Sequence, residues 1–237
     1  MIPLRAASGE NEQTQHLMMH WVETIHPRAD VLFFPQIELQ AEPDEAPETF
    51  RSLHTACDII AALSRRRGVC LAAGVWETYK ENHFTRLLFS DRLGQFETRT
   101  RDLVADPETR PVAHPPLTTR IANNMCGLCM SDDLFEPSFA ETCKQLEVKV
   151  LMVPVYLSCS RREFEQRGDL PAALDELRIQ AVQTAVSANM IVCLVNSLSQ
   201  DPMLDFAPCG GAWVFSPQGG MMARRALYDE TPLEIEI

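Results

Sequence analysis

Positive charge is scarce in this chain, and lysine most of all: Lys80, Lys144 and Lys149 are the only three in 237 residues. Against 33 Asp and Glu stand 21 Lys and Arg, a formal net charge of -12. That balance argues against nucleic acid or an anionic membrane surface as the main partner, since both select basic patches. Aromatic residues make up only 7%, so the core must rest on Leu, Val, Ile, Ala and Met. No apolar run reaches the roughly 18 residues of a membrane-spanning helix. No basic start leads into an apolar run and a cleavage site, which argues against a secretory leader and for a cytoplasmic protein. Internal repeats, low-complexity tracts and long linkers are absent too. With 46% hydrophobic content, residues 1–237 therefore read as one domain able to bury a sizeable core.

The eight cysteines, Cys57, Cys70, Cys126, Cys129, Cys143, Cys159, Cys193 and Cys209, lie among apolar neighbours rather than in a disulfide framework. They read as reduced core residues, one or two of them reactive. The denser acidic patches, Glu42 to Glu48 and Asp229 to Glu236, read as solvated surface.

Strand and helix signals alternate along the chain. Strands are expected at Ile2–Ala7, Val31–Pro35, Val69–Val75, Arg120–Leu128, Val148–Val155, Met190–Val195, Ala212–Phe215, Met221–Ala226 and Leu233–Ile237. A hairpin is expected from Phe84–Ser90 through a turn at Asp91–Gly94 to Phe96–Thr100. Helices are expected from the Asn11 cap to His26, over Glu48–Arg67 with Gly68 as its stop, over Asp133–Leu146, and over Leu170–Ala188. The unbroken apolar run Val31–Leu32–Phe33–Phe34 suits a strand covered on both faces. Two halves that each mix strands with helices imply stacked sheets covered by helices.

Three short patterns suggest chemistry and carry little of it. Cys126-Gly-Leu-Cys129 has the spacing of a redox pair or half a zinc site. There is no second such pair, and strand residues three apart face opposite ways. His16 and His20, one helical turn apart with Glu23 nearby, lie opposite the apolar stripe and read as a solvated face. Gly210-Gly211 and Gly219-Gly220 suit tight turns, and neither precedes a helix as a phosphate loop would. No metal and no cofactor are expected.

Taken in order, several segments resemble one known family. They are Val31 to Pro35 with Gln36; Gly74 to Val104 with its Asp-x-x-Gly turn and Thr98-Arg99-Thr100-Arg101-Asp102-Leu103; and Leu128-Cys129 with Glu136 seven residues on. Val148 to Pro154, Gly210 to Gly220 and Leu233 to Ile237 complete the set. Together they are similar to the blocks of the nitrilase (carbon–nitrogen hydrolase) superfamily, over nearly the whole chain. The resemblance implies an α/β fold, an αββα four-layer sandwich. It also implies a homo-oligomer, a dimer or larger, and a Glu–Lys–Cys triad in which the carboxylate is base, the ammonium holds the oxyanion and the thiol attacks.

Only the cysteine of that triad stands here. Gln36 occupies the glutamate position, and an amide cannot take a thiol proton at neutral pH. Thr100 occupies the lysine position, with Arg99, Arg101 or Asp102 as alternatives. Cys129 matches the nucleophile, at the start of a helix whose dipole would acidify it. Glu38, Arg101, Ser131, Asp132 and Glu136 are further pocket candidates. Losing a general base slows such a reaction roughly 10²–10⁴-fold, and losing one oxyanion donor roughly 10²–10³-fold, without the two necessarily multiplying.

The leading expectation is therefore a pseudoenzyme that binds a small molecule or supports an active paralogue subunit. Against it stands a working thiol enzyme, an amidase or acyl transferase with Cys129 as nucleophile and Glu38, Glu136 or Asp132 as base. A purely structural interaction module is the third possibility.

Overall fold

The apolar run at residues 31–34 forms the body of a strand buried on both faces, and the rest of the molecule is arranged around that requirement. The structure is a computed structural model. It describes residues 5–6, 18, 20–24, 29–38, 57, 60–79, 82–103, 114–160, 162, 164–165, 170–199 and 206–237.

One sheet has the order β2 (Val31–Glu38), β3 (Cys70–Tyr79), β4 (Asn82–Ser90), β5 (Phe96–Leu103), with β2 and β3 parallel and the rest antiparallel. A second, six-stranded sheet runs β14 (Met221–Leu227), β13 (Gly210–Phe215), β10 (Ile191–Asn196), β8 (Val150–Val155), β7 (Asn124–Leu128), β6 (Leu117–Ile121). Its central strands β7, β8 and β10 are parallel. Two short ladders flank the sheets. Strand β1 (Arg5–Ala6) lies parallel to β11 (Leu198–Ser199), and β9 (Ser158–Ser160) lies antiparallel to β12 (Phe206–Pro208).

Alternation along the strands sorts the core into three sets. Phe33, Cys70, Ala72, Leu87 and Phe89 of the first sheet meet Cys126, Leu128, Val150, Met152, Cys193, Val195 and Val214 of the second. The other face of the first sheet, with Leu32, Phe34, Leu71, Ala73 and Leu88, packs on helical residues 20–24 (α1) and 60–67 (α2) through Val22, Ile60 and Leu63. The other face of the second sheet, with Leu151, Val153, Val155, Val192 and Leu194, packs on α3 (Phe139–Gln145) and α4 (Ala172–Ala188). The layers are α, β, β, α, as the resemblance implies.

Close approach of the two sheets is set at Gly74. A Cβ there would lie 3.0 Å from Pro154 Cγ and 3.1 Å from the Gln36 Cα, tighter than ordinary contact. The expected turn between β4 and β5 forms: Asp91 Oδ1 accepts the backbone N–H groups of Leu93 and Gln95, each at 2.8 Å, and Gly94 sits at φ +76°.

Several expectations are corrected. The strand expected over Arg120–Leu128 is two strands, β6 and β7, folded at Ala122 and Asn123 with φ 46° and 70°. The helix expected over Asp133–Leu146 is a 3₁₀ turn at Ser131–Phe135 followed by α3, because Pro137 lies between them and cannot continue a helix interior. Leu233–Ile237 forms no strand; Leu233 is buried against the inter-sheet core and Ile235 packs beside it. Within the helix expected over Asn11–His26, residues 18 and 20–24 are helical; within Glu48–Arg67, residues 57 and 60–67 are. The rest of both helices, His16, and Ile2–Leu4 and Ala7 of the first strand lie outside the described residues. No helix among the described residues is long and apolar enough to cross a membrane.

Candidate functional site

Parallel strands of stacked α/β sheets leave their C-terminal ends free to build a site. Here β2, β8 and β10 all end at the same edge, delivering Gln36, Val155 and the pair Asn196–Ser197. Pro35 has no N–H to give a ladder, and the β2–β3 register shifts between Phe33 and Gln36. Such an irregularity re-aims the residue that follows it.

Gln36 is buried at 7% exposure, and its Nε2 donates to Thr85 Oγ1 at 3.2 Å on β4. The Gln36 main-chain oxygen accepts a short hydrogen bond from the Ser197 hydroxyl. Ser197 is also tied to Val155, whose carbonyl accepts its backbone N–H at 3.1 Å and lies 3.3 Å from its hydroxyl oxygen. The carboxamide position is thus held from both sheets.

Thr100 pairs with Arg86 in the β4–β5 ladder and is exposed. Arg101 is the register partner of Thr85, so strand alternation assigns position 101 to the face of the Gln36 partner and position 100 to the other. Thr100 is not brought together with Gln36. Glu38 pairs with Trp76 at the end of β2.

Cys129 follows β7, and its backbone N–H donates to the Met152 carbonyl at 3.1 Å. It packs with Leu134, Phe139, Cys143 and Leu151, in the cluster on the helix side of the sheet. Met130, the next residue, belongs to the inter-sheet cluster with Cys126 and Leu128. The Cys126–Cys129 pair is accordingly split between the two faces. The α-helix starts only at Phe139, so the expected dipole support for the thiol is reduced to a 3₁₀ turn. That turn is fixed by Asp133, whose carboxylate is buried and accepts the backbone N–H of Met130 at 3.0 Å and of His114 at 3.3 Å. Ser131 and Glu136 are half-buried and Asp132 is exposed. The Glu136 carbonyl accepts the Phe139 N–H at 3.0 Å, opening α3.

Thr85, Met130, Asp133, Asn196 and Ser197 were not among the expected site residues. Asn196 and Ser197 had a signal: two polar residues directly after six apolar ones. Asn196 clamps the chain beyond β8, its Oδ1 accepting the Leu157 N–H at 2.8 Å and its Nδ2 donating to the Leu157 carbonyl at 3.1 Å.

No cysteine is in a disulfide. Burial pushes the thiol of Cys126 up to about 11 and those of Cys143 and Cys193 up to about 12. Cys159 moves the other way, held below the ordinary thiol range by hydrogen bonding with Cys209 and with Tyr228. No cluster of three His, Cys, Asp or Glu side chains suited to a metal occurs among the described residues. A cavity of about 640 Å³ opens at the opposite end of the inter-sheet space, lined by Val31, Phe33, Cys126, Met152 and Cys193 with the tail 232–237.

No protein-family model matches the chain, and no curated protein sequence matches it. Solved structures do. A carbon–nitrogen hydrolase from Helicobacter pylori G27 aligns over 96% of this chain and 85% of its own at TM-score 0.71 and 15% identity. A cysteine-to-alanine variant of an amidase of the nitrilase superfamily from Nesterenkonia AN1 aligns over 95% and 85%, at TM-score 0.69 and 15% identity. A glutamate-to-glutamine variant of the Nesterenkonia amidase carries the acetamide moiety of fluoroacetamide on its active-site cysteine. It aligns over 95% and 84% at TM-score 0.68 and 16% identity.

Proposed function

We propose that this chain, whose fold is that of the nitrilase-superfamily amidases, is a pseudoenzyme of that superfamily: one domain over 1–237 that does not hydrolyse C–N bonds. Its role is to bind a small molecule within a homo-oligomer, or to support an active paralogue subunit. One observation carries this reading. At the strand ends a neutral carboxamide, Gln36, is tied to a threonine hydroxyl, while Cys129 packs on the helix side and Met130 takes the inter-sheet side. A thiol ester forms only if thiol, base and oxyanion donor converge on one carbonyl. The exposed, outward Thr100 adds no cation there. For the binding role, the cavity of about 640 Å³ has the size of a small-molecule pocket.

A second reading is favoured by one comparison. The glutamate-to-glutamine variant of the Nesterenkonia amidase still adds the acetamide moiety of fluoroacetamide covalently at its active-site cysteine. By analogy Cys129 would be the nucleophile of an amidase or acyl transferase, with Glu38, Asp132 or Glu136 as base and Arg101 holding the oxyanion.

Fluoroacetamide at neutral pH, followed by peptide mapping, separates the two. The pseudoenzyme reading expects Cys129 to react no faster than free cysteine. Rapid, selective labelling of Cys129 would overturn it in favour of the thiol enzyme.

A further inference from the structure

Two thiols lie together away from Gln36 and Cys129. The β9–β12 ladder pairs Cys159 with Ala207 and Ser158 with Pro208. One step further along, Cys209 lies 4.0 Å from the Leu157 carbonyl. Cys159 and Cys209 are therefore diagonal neighbours on one face of the ladder. Each thiol has a polar neighbour of its own. The Tyr228 hydroxyl lies 3.5 Å from Cys159 Sγ, and Asn196 Nδ2 donates to Cys209 Sγ at 3.6 Å. Both residues are buried, at 4% and 0% exposure.

We propose that Cys159 and Cys209 form a dithiol redox site, in which Cys159 reacts with a hydroperoxide and Cys209 resolves the product to an internal disulfide. The steps balance. The Cys159 thiolate attacks one peroxide oxygen; the S–O bond forms, the O–O bond breaks, and the departing oxyanion takes a proton from solvent. The Cys209 sulfur then attacks the sulfenic sulfur; the S–S bond forms and the hydroxyl leaves as water with the Cys209 proton. Two thiols are oxidised by two electrons and the hydroperoxide is reduced to an alcohol, or to water, plus water.

The setting assigns the roles. Hydrogen bonding with Cys209, and then with Tyr228, holds the Cys159 thiol below its ordinary range and favours its thiolate. Cys209 is pushed up by its interaction with Cys159 and by burial, so it holds its proton until the second step. An S–S bond of about 2.05 Å needs the two Cβ atoms about 3.5–4.5 Å apart, nearer than diagonal strand neighbours usually sit. The ladder that must give way is only three residue pairs long. The pair is also wired to the strand ends: Asn196, which contacts Cys209, clamps Leu157 and precedes Ser197, the residue that holds the Gln36 carbonyl.

The full-length protein is treated with one equivalent of hydrogen peroxide, blocked with N-ethylmaleimide, digested without reductant and mapped by mass spectrometry. The expected product is a Cys159–Cys209 linked peptide, lost with dithiothreitol, formed about tenfold faster than Cys143 or Cys193 is oxidised. In Cys209→Ser, dimedone should tag Cys159; in Cys159→Ser, Cys209 should stay reduced. Oxidation of Cys159 no faster than of Cys143, a link between other cysteines, or oxidation of Cys209 at the unchanged rate in Cys159→Ser would overturn the proposal. The wild-type map decides the matter even if a variant does not fold.

Discussion

At the scale of single residues, the strand-end region is organised around backbone groups as much as side chains. Ser197 spans the two sheets, with the Gln36 carbonyl on one side and Val155 on the other. In Ser197→Ala the Val155 carbonyl keeps the backbone N–H, whereas the Gln36 carbonyl loses its hydroxyl donor. Losing one such hydrogen bond costs about 0.5–1.5 kcal/mol. Urea unfolding of Ser197→Ala should show a loss of that size with an unchanged m-value; a neutral result would mean that the two sheets are not joined there. The same scale shows where the sequence ran out. Alternation already implied that Cys126 and Cys129 face opposite ways, and they do. Which of them faces the other sheet depends on a one-residue choice between Cys129 and Met130, and both are apolar enough to be buried on either side.

Elements were legible where local chemistry is specific. The Asp91 side chain caps the turn its Asp-x-x-Gly pattern announced. The turn at Ala122–Asn123 was not read: alanine at φ 46° carries no glycine-like signal, and the Asn123-Asn124 pair that does signal a turn falls inside the single strand expected there. Pro137 was a visible break in the helix expected over Asp133–Leu146; the apolar spacing around it concealed the break. Strands β9, β11 and β12 are two or three residues long, too short for a periodicity to register. Between elements, the tightest demand falls on Gly74, where Pro154 and the Gln36 backbone leave no comfortable room for a methyl group. Overpacking of this kind costs about 1–3 kcal/mol. Gly74→Ala should unfold at lower urea concentration than wild type; an equal or higher midpoint would show that β3 and β8 are free to separate.

For the whole molecule, stacked sheets covered by helices followed from alternating strand and helix signals and the four-layer order from the family resemblance, and the register of the sheets then decided which face each thiol meets. Three of those thiols, on Cys126, Cys143 and Cys193, keep their protons in the fold up to about 11 or 12, whereas an unfolded cysteine ionises near ~8.5. Above that pH the unfolded state holds fewer protons than the folded one, so stability falls as pH rises, and below it these groups contribute no slope. The difference in urea midpoint between wild type and Cys193→Ala should hold steady from neutrality to about pH 8.5 and change beyond it, the wild type falling more steeply. An identical alkaline slope in that variant would contradict the assignment. The most direct test of the central reading is ammonia release from acetamide and butyramide by purified protein, compared with Cys129→Ser. The account predicts equal background rates for both proteins; turnover on the order of 1–10 s⁻¹, typical of enzymes, that vanishes in Cys129→Ser would contradict it.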